Sequence, residues 1–417
     1  MRTLKPKSTG YKSDNLYSSY SKTFSIPNPD IPLWEDFDLS KYNSVPVSQY
    51  MYEASNGTDY YYSSSTEKGI YHYSTKTKQY TQIYDIGYNW CYFFEDSKGN
   101  VYVSSNNSGN SSTGIIRIKD NTATQIYNKG ISWYHFFEDS KGNVYVSSDI
   151  SGDSNAGIIH IGDGVATKIY IPGYRWEYFF EDSKGNVYVG SNNNSSYSTN
   201  IGIVHIKDNK ATQIYNTGYY WEYFFEDSKG NVYVGSYTNS TTGFLHINGS
   251  TVTQVYTEGY RWQYFFEDNK GNVYVGSSGV SGTLHLNGTT VTKIFNEGYS
   301  WQYFFGDSKG NVYVGSSGYG ILHLNGTTAT QIYTSGTWNY FFEDSKGIIY
   351  VGSSSTPGIL HINGITVTKI YDTGYSYWRY FFESNKGNVY VSIDTYPKKD
   401  SELLQIVDTN VFKVVLQ

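Results

Sequence analysis

Seven histidines share one slot of a recurring segment: His72, His160, His205, His246, His285, His323 and His361, with Arg117 and Gln405 at the same slot in two further copies. So many imidazoles raise the question of a metal, which needs three or four ligands converging on one point. Residues at equivalent places in the copies of a ring-forming unit point away from one another. The slot is therefore expected to hold a buried hydrogen bond within or between units, and no metal site is expected. His135 is the exception, standing where other copies carry the Tyr of W-x-Y-F-F.

Adjacent carboxylates recur as Glu95/Asp96, Glu181/Asp182 and Glu226/Asp227. Acid–base work on one bond needs two carboxyl groups facing the same bond, and neighbours on a strand face opposite ways. These pairs read as turn residues. The chain has no phosphate-binding glycine loop, no G-x-S-x-G, no H-E-x-x-H and no cysteine-based site. An enzyme needs one asymmetric site, so catalysis is not expected and no cofactor is implied. The charges that do break the pattern adjoin a Trp: Arg175, Glu177, Glu222, Arg261 and Arg379. They are candidates for lining a funnel or groove.

The elements that position these residues follow from the repetition. The string YFFEDSKGNVYVGS occupies 178–191 and returns at 223–236, and its first Phe falls at 93, 136, 179, 224, 265, 304, 341 and 381. A weaker copy, YMYEASNGTDYYYSSS, precedes them at 50–65. One unit divides into strands at Gln263–Glu267, Asn272–Gly276, Thr283–Leu286 and Thr290–Phe295. Asp268 and Gly271 suit a tight turn, and Asn287-Gly288 signals a hairpin. Four short strands every 37–45 residues describe the blades of a β-propeller. The expected fold is all-β, a single propeller of nine blades, eight strong and one degenerate, over residues 47–417.

Apolar residues on both parities of WRYFFE and GILHI fit strands buried on both faces. Trp90, Trp133, Trp176, Trp221, Trp262, Trp301, Trp338 and Trp378 each stand three residues before the Phe, as wedges would. The pattern E-D-x-x-G-N-x-(aromatic)-V-G-S followed by G-(I/L)-x-x-I resembles the two-component-regulator propeller repeat. The resemblance covers residues of about 48–417 and implies the fold. Tyr replaces the usual Trp of the second strand, and no kinase or membrane part accompanies the repeats, so the sensor-kinase function is not carried over.

Length variation sits in one place. From the Val of NVYV to the Gly opening the third strand, the loop runs 11, 11, 13, 9, 7, 6 and 7 residues in seven successive units, while the other turns hardly change. That loop and the blade-to-blade link should emerge on one face, the two constant turns on the other. Rigid scaffolds bind through such loops. The variable loops are rich in Asn, Ser, Gly and Tyr, the chemistry of protein-binding paratopes, and aromatic faces also suit sugar rings. The binding-face candidates are Tyr174, Arg175, Trp176, Glu177, Tyr197, Tyr219, Trp221, Glu222, Tyr260, Arg261, Trp262 and Arg379. For the Trp ring, blade packing is the competing reading.

The net charge is −6 with 37 acidic and 31 basic residues, which lacks the basic footprint of nucleic-acid binding. Cys91 is the only cysteine, so no internal disulfide forms. No apolar signal region and no run long enough to span a bilayer is present. Residues 1–46 differ in composition, and IPNPDIPLWEDF carries Trp34 and Phe37 on a chain that prolines keep extended. This arm is read as a docking element for a protein partner. The expectation is a non-enzymatic recognition propeller, displayed on a virion, tail or cell surface by a route without a signal peptide. An intracellular protein–protein scaffold is the alternative, and a glycan-processing enzyme a third reading.

Overall fold

A computed structural model describes residues 50–106, 114–129, 132–148, 157–170, 175–191, 202–217, 220–237, 243–259, 261–279, 281–372, 378–393 and 403–414. The described residues form strands and turns only, grouped in nine four-stranded antiparallel sheets, each built from consecutive strands. The fold is all-β, with nine four-stranded sheets of the propeller-blade type. Contacts divide the chain into two compact units, 1–217 and 218–417. The first holds sheets 1 to 4, over residues 50–84, 90–127, 133–170 and 176–215. The second holds sheets 5 to 9, over 221–256, 262–299, 301–333, 340–371 and 378–413.

The degenerate first copy is a full blade. Its strands Tyr50–Glu53, Asp59–Ser63, Ile70–Ser74 and Gln79–Tyr84 pair in the same order as the others. Tyr52 stacks on Phe93 of sheet 2 at 5.6 Å, as the Phe pairs do elsewhere in the first unit, such as Phe94 on Phe136.

Sheet 6 shows how sequence becomes blade. Its strands are Trp262–Glu267, Val273–Ser277, Ser281–Asn287 and Thr290–Tyr299. The last two run longer than their apolar segments, because Ser281 pairs with Tyr299. The hairpin between them forms where Asn287-Gly288 signals it. Asn287 pairs with Thr290, so the two turn residues are Gly288 and Thr289, and only Gly288 has a positive φ, at 57°. Glycine at the first turn position is the II′ pattern, not the I′ pattern of Asn-Gly. In sheet 2 the turn is Asp120-Asn121, both with positive φ, and there the I′ form is used.

The apolar core lies between successive sheets. Tyr233 and Phe244 of sheet 5 close on Trp262, Val273, Val275, Leu284 and Leu286 of sheet 6. This is why the strands are apolar on both parities. The Gly of V-G-S has its reason here too: a Cβ on Gly276 would stand 1.8 Å from the carbonyl oxygen of Trp301 in the next sheet. Sheets 2 and 3 use Ser104 and Ser147 at that slot, and each hydroxyl donates to the next sheet's Trp carbonyl.

The turns at one end fasten sheet to sheet. Asp96 Oδ1 accepts the amides of Lys98 and Asn100 within its own turn. Ser97 donates its amide and hydroxyl to Glu138 of the next sheet, at 2.8 and 2.7 Å. The repeated Glu-Asp pair thus divides its labour between sheets, one carboxylate shaping a turn and the other clasping the preceding blade. The second-strand Tyr adds a further tie: Tyr313 OH donates to Gly364 O, and Tyr274 OH accepts the amide of Gly326. A tryptophan there has no hydroxyl to do this, which accounts for the Tyr.

Candidate binding face

The histidine slot carries the expected hydrogen bonds inside blades. His160, His205, His246 and His323 approach the Asn side chain of their own turn at 3.3–3.4 Å, and His72 meets Asp59 at 2.7 Å. Burial pushes the pKa of His160, His205, His246, His285, His323 and His361 down. His285 Nε2 is buried without a partner. Among the described residues no group of three or more His, Cys, Asp or Glu is placed to hold a metal.

Of the two readings of the Trp ring, the structure shows blade packing: Trp176, Trp221 and Trp262 are wedges. Trp176 is 0% exposed, Trp221 and Trp262 are each 1% exposed, and Tyr170 and Tyr256 meet Trp176 and Trp262 edge-on at 5.5 Å. Their ring faces are shut in the core. What these Trp residues do, Trp338 excepted, is aim their neighbours. The residue before it takes a left-handed backbone: φ is 55° at Asn89, 59° at Ser132, 48° at Arg175, 54° at Tyr220, 57° at Arg261 and 57° at Ser300. The residue after it is a bulge, because Trp262 pairs with Ser277 and Tyr264 with Gly276, leaving Gln263 unopposed. The same shift occurs at Trp90, Trp133, Trp176, Trp221, Trp301 and Trp378. Bulges re-aim side chains, so a buried anchor presents one residue on each side.

In the first unit these positions gather unlike groups. Cys91 follows Trp90, half-buried, and burial pushes its thiol up to about 12. Tyr92 and Tyr134 meet edge-on at 4.0 Å, and Tyr134 OH donates to Asn106 Oδ1. His135 Nε2 lies 3.8 Å from Glu177 Oε1, with side chains 12% and 10% exposed. Burial first, and then the Arg175 charge, lower the His135 pKa to about 4. The imidazole is therefore neutral at pH 7, and its approach to Glu177 is a polar contact and not a charge pair.

In the second unit, Arg261 lies over the Tyr237 ring at 4.8 Å, and Arg379 over Tyr340 at 5.5 Å. Gln263 Nε2 donates to Ser278 Oγ at 2.7 Å. Glu222 is half-buried on its bulge. Tyr237, Gln263 and Ser278 were not singled out from sequence; the signal available was the variability of the residue after each Trp. Tyr174, Tyr197, Tyr219 and Tyr260 lie outside the described residues.

Where described, the second-to-third loops do sit beside the links. Gly243 N donates to Gly259 O, and Gly320 N to Gly336 O. In sheet 7 the loop and link even pair as strands, Ser317 with Thr337 and Gly318 with Gly336. The D-S-K-G-N turns occupy the other end of each sheet. No helix of the described residues is long and apolar enough to cross a membrane.

No protein-family model matches the chain, and no curated protein does. Among solved structures it is similar to the extracellular domain of a protein described as a one-component system of B. thetaiotaomicron, at 15% identity and TM-score 0.28, covering 88% of this chain and 53% of that one. A hybrid two-component system domain of the same organism matches at 14% identity and TM-score 0.28, covering 88% and 63%. Virginiamycin B lyase from Staphylococcus aureus matches at 12% identity and TM-score 0.33, covering 66% and 92%. The chain thus spans less than two thirds of the first two. At such scores these likenesses carry no argument about function.

Proposed function

We propose that the protein is a non-enzymatic recognition propeller. Its binding face is the end of the blades that carries the second-to-third loops and the residues flanking each Trp, and its ligand is a glycan or a protein. Residues 1–46 dock it into a larger assembly of virion or tail type, or a surface adhesin. The observation that carries the reading is the contrast at the Trp. The anchor hardly varies, while the left-handed position before it holds Asn, Ser, Arg or Tyr and the bulge after it holds Cys, Tyr, Glu, Gln or Arg. Arginine and tyrosine are costly in left-handed backbone, and such strain gathers at functional sites.

A loop graft tests this. Replacing 192–197 with the short Ser-Ser-Gly-Tyr-Gly loop of 316–320 should leave the melting temperature nearly unchanged and weaken binding on a glycan array or in partner capture. Equal loss of binding after altering a D-S-K-G-N turn at the opposite end, with folding intact, defeats the assignment. Turnover of a bound glycan would turn the reading toward an enzyme.

A further inference from the structure

We infer that the side chains around Arg261 form a subsite for a carboxylate-bearing sugar, an inference that rests on the recognition face proposed above. Arg261 is held at φ 57°, and its guanidinium lies 4.8 Å from the centroid of Tyr237, a ring 42% exposed. Its Nε is buried without an acceptor, and no carboxylate of the described residues is paired with it. Across the buried Trp262, Gln263 gives its amide nitrogen to Ser278 Oγ, while its Oε1 is buried without a donor. Ser278 binds the group together: its amide donates to Arg261 O at 3.3 Å, and its own carbonyl accepts Ser300 Oγ at 3.1 Å.

The place therefore combines an unneutralised guanidinium, an amide oxygen short of a donor and an aromatic ring open to solvent. Leaving such groups unmet is costly, so a ligand that meets them gains. A carboxylate answers the guanidinium, a sugar hydroxyl answers the amide oxygen, and the apolar face of a pyranose covers the tyrosine. An acidic side chain of a peptide answers only the first, and a neutral sugar only the second and third. The subsite is not a property of the repeat. In sheet 7 the flanking residues are Ser300 and Gln302, and Gln302 spends its amide on Tyr303 OH at 3.0 Å.

The test titrates the full chain with oligogalacturonate and oligosialate, with their methyl esters, and with poly-glutamate. At least one acidic glycan should bind, and its methyl ester should bind at least about tenfold more weakly, since a hydrogen bond to a charged group is lost. Arg261→Ser, which installs the residue found at positions 132 and 300, should lose the same factor with an unchanged melting temperature, and Arg261→Lys should retain part of it. Equal affinity for acid and ester, poly-glutamate binding as tightly as the glycans, or unaltered binding by Arg261→Ser overturns the inference. Absence of binding by either acidic glycan overturns it as well. If that happens while the 192–197 graft still weakens binding of another glycan or of a partner, the recognition reading stands without this subsite. If the graft has no effect either, both fall.

Discussion

At the residue scale, one tryptophan and its two neighbours have opposite duties, and mutation should separate them. Trp262 is 1% exposed and donates Nε1–H to Glu258 O at 3.0 Å. Trp262→Ala should cost about 3–5 kcal/mol, read as a shift in a urea midpoint, whereas Arg261→Ser should cost nothing measurable. A second residue-scale prediction concerns His135. Its folded pKa is about 4, below the roughly 6.5 of an unfolded histidine. The unfolded chain then binds the extra proton between these values, so stability rises with pH across about 4 to 6.5. His160, His205, His246, His285, His323 and His361 are lowered in the same direction. His135→Tyr should flatten part of the acid limb of the stability–pH curve; an unchanged limb would refute the buried, neutral imidazole. The sequence made the slots legible, and it marked His135 as the odd one out. It did not reveal the left-handed and bulged backbone beside six of the Trp residues, because those conformations follow from how the strand registers against its partner.

At the element scale, the Ser-to-Glu clasp explains why the turn sequence is so constant, and one seam lacks it. In the first unit Ser55, Ser97 and Ser140 donate to Glu95, Glu138 and Glu181. In the second, Ser228, Ser308 and Ser345 donate to Glu267, Glu343 and Glu383. Between sheets 6 and 7 both partners are different: Asn269 stands at the Ser position and Gly306 at the Glu position. A Cβ on Gly306 would come 3.1 Å from Phe266 Cζ, a contact the ring can yield to. Asn269→Ser with Gly306→Glu should therefore stabilise the chain by about 0.5–1.5 kcal/mol, and the two changes should couple in a double-mutant cycle. Additive or destabilising behaviour would mean that this seam has settled on a different packing. The turn itself was legible from Asp, Gly and Asn. The clasp was not, because Ser and Glu meet 35 to 41 residues apart, and no local rule pairs them.

At the scale of the whole molecule, the period was the most legible feature, since a fixed interval and four short strands per interval leave few architectures. The face that varies was less so: its longest loops and several of its tyrosines fall outside the described residues, and what a loop binds is not written in its length. The arm poses the same difficulty. Residues 1–46, with Trp34 and Phe37, lie outside the described residues, among which the first strand is Tyr50–Glu53. Every strand of the nine sheets thus belongs to the chain beyond the arm. A chain lacking residues 1–46 should keep its β-sheet circular dichroism and its melting temperature. If the arm docks the propeller into an assembly, the truncated chain should fail to enter it. The prolines of IPNPDIPLW lower the ordering cost on docking, and each buried aromatic contributes about 1.5–3 kcal/mol. Trp34→Ala should then weaken incorporation by about ten- to a hundredfold without loss of fold. Normal incorporation of the truncated chain, or its failure to fold, would show that the arm is not a separable docking element.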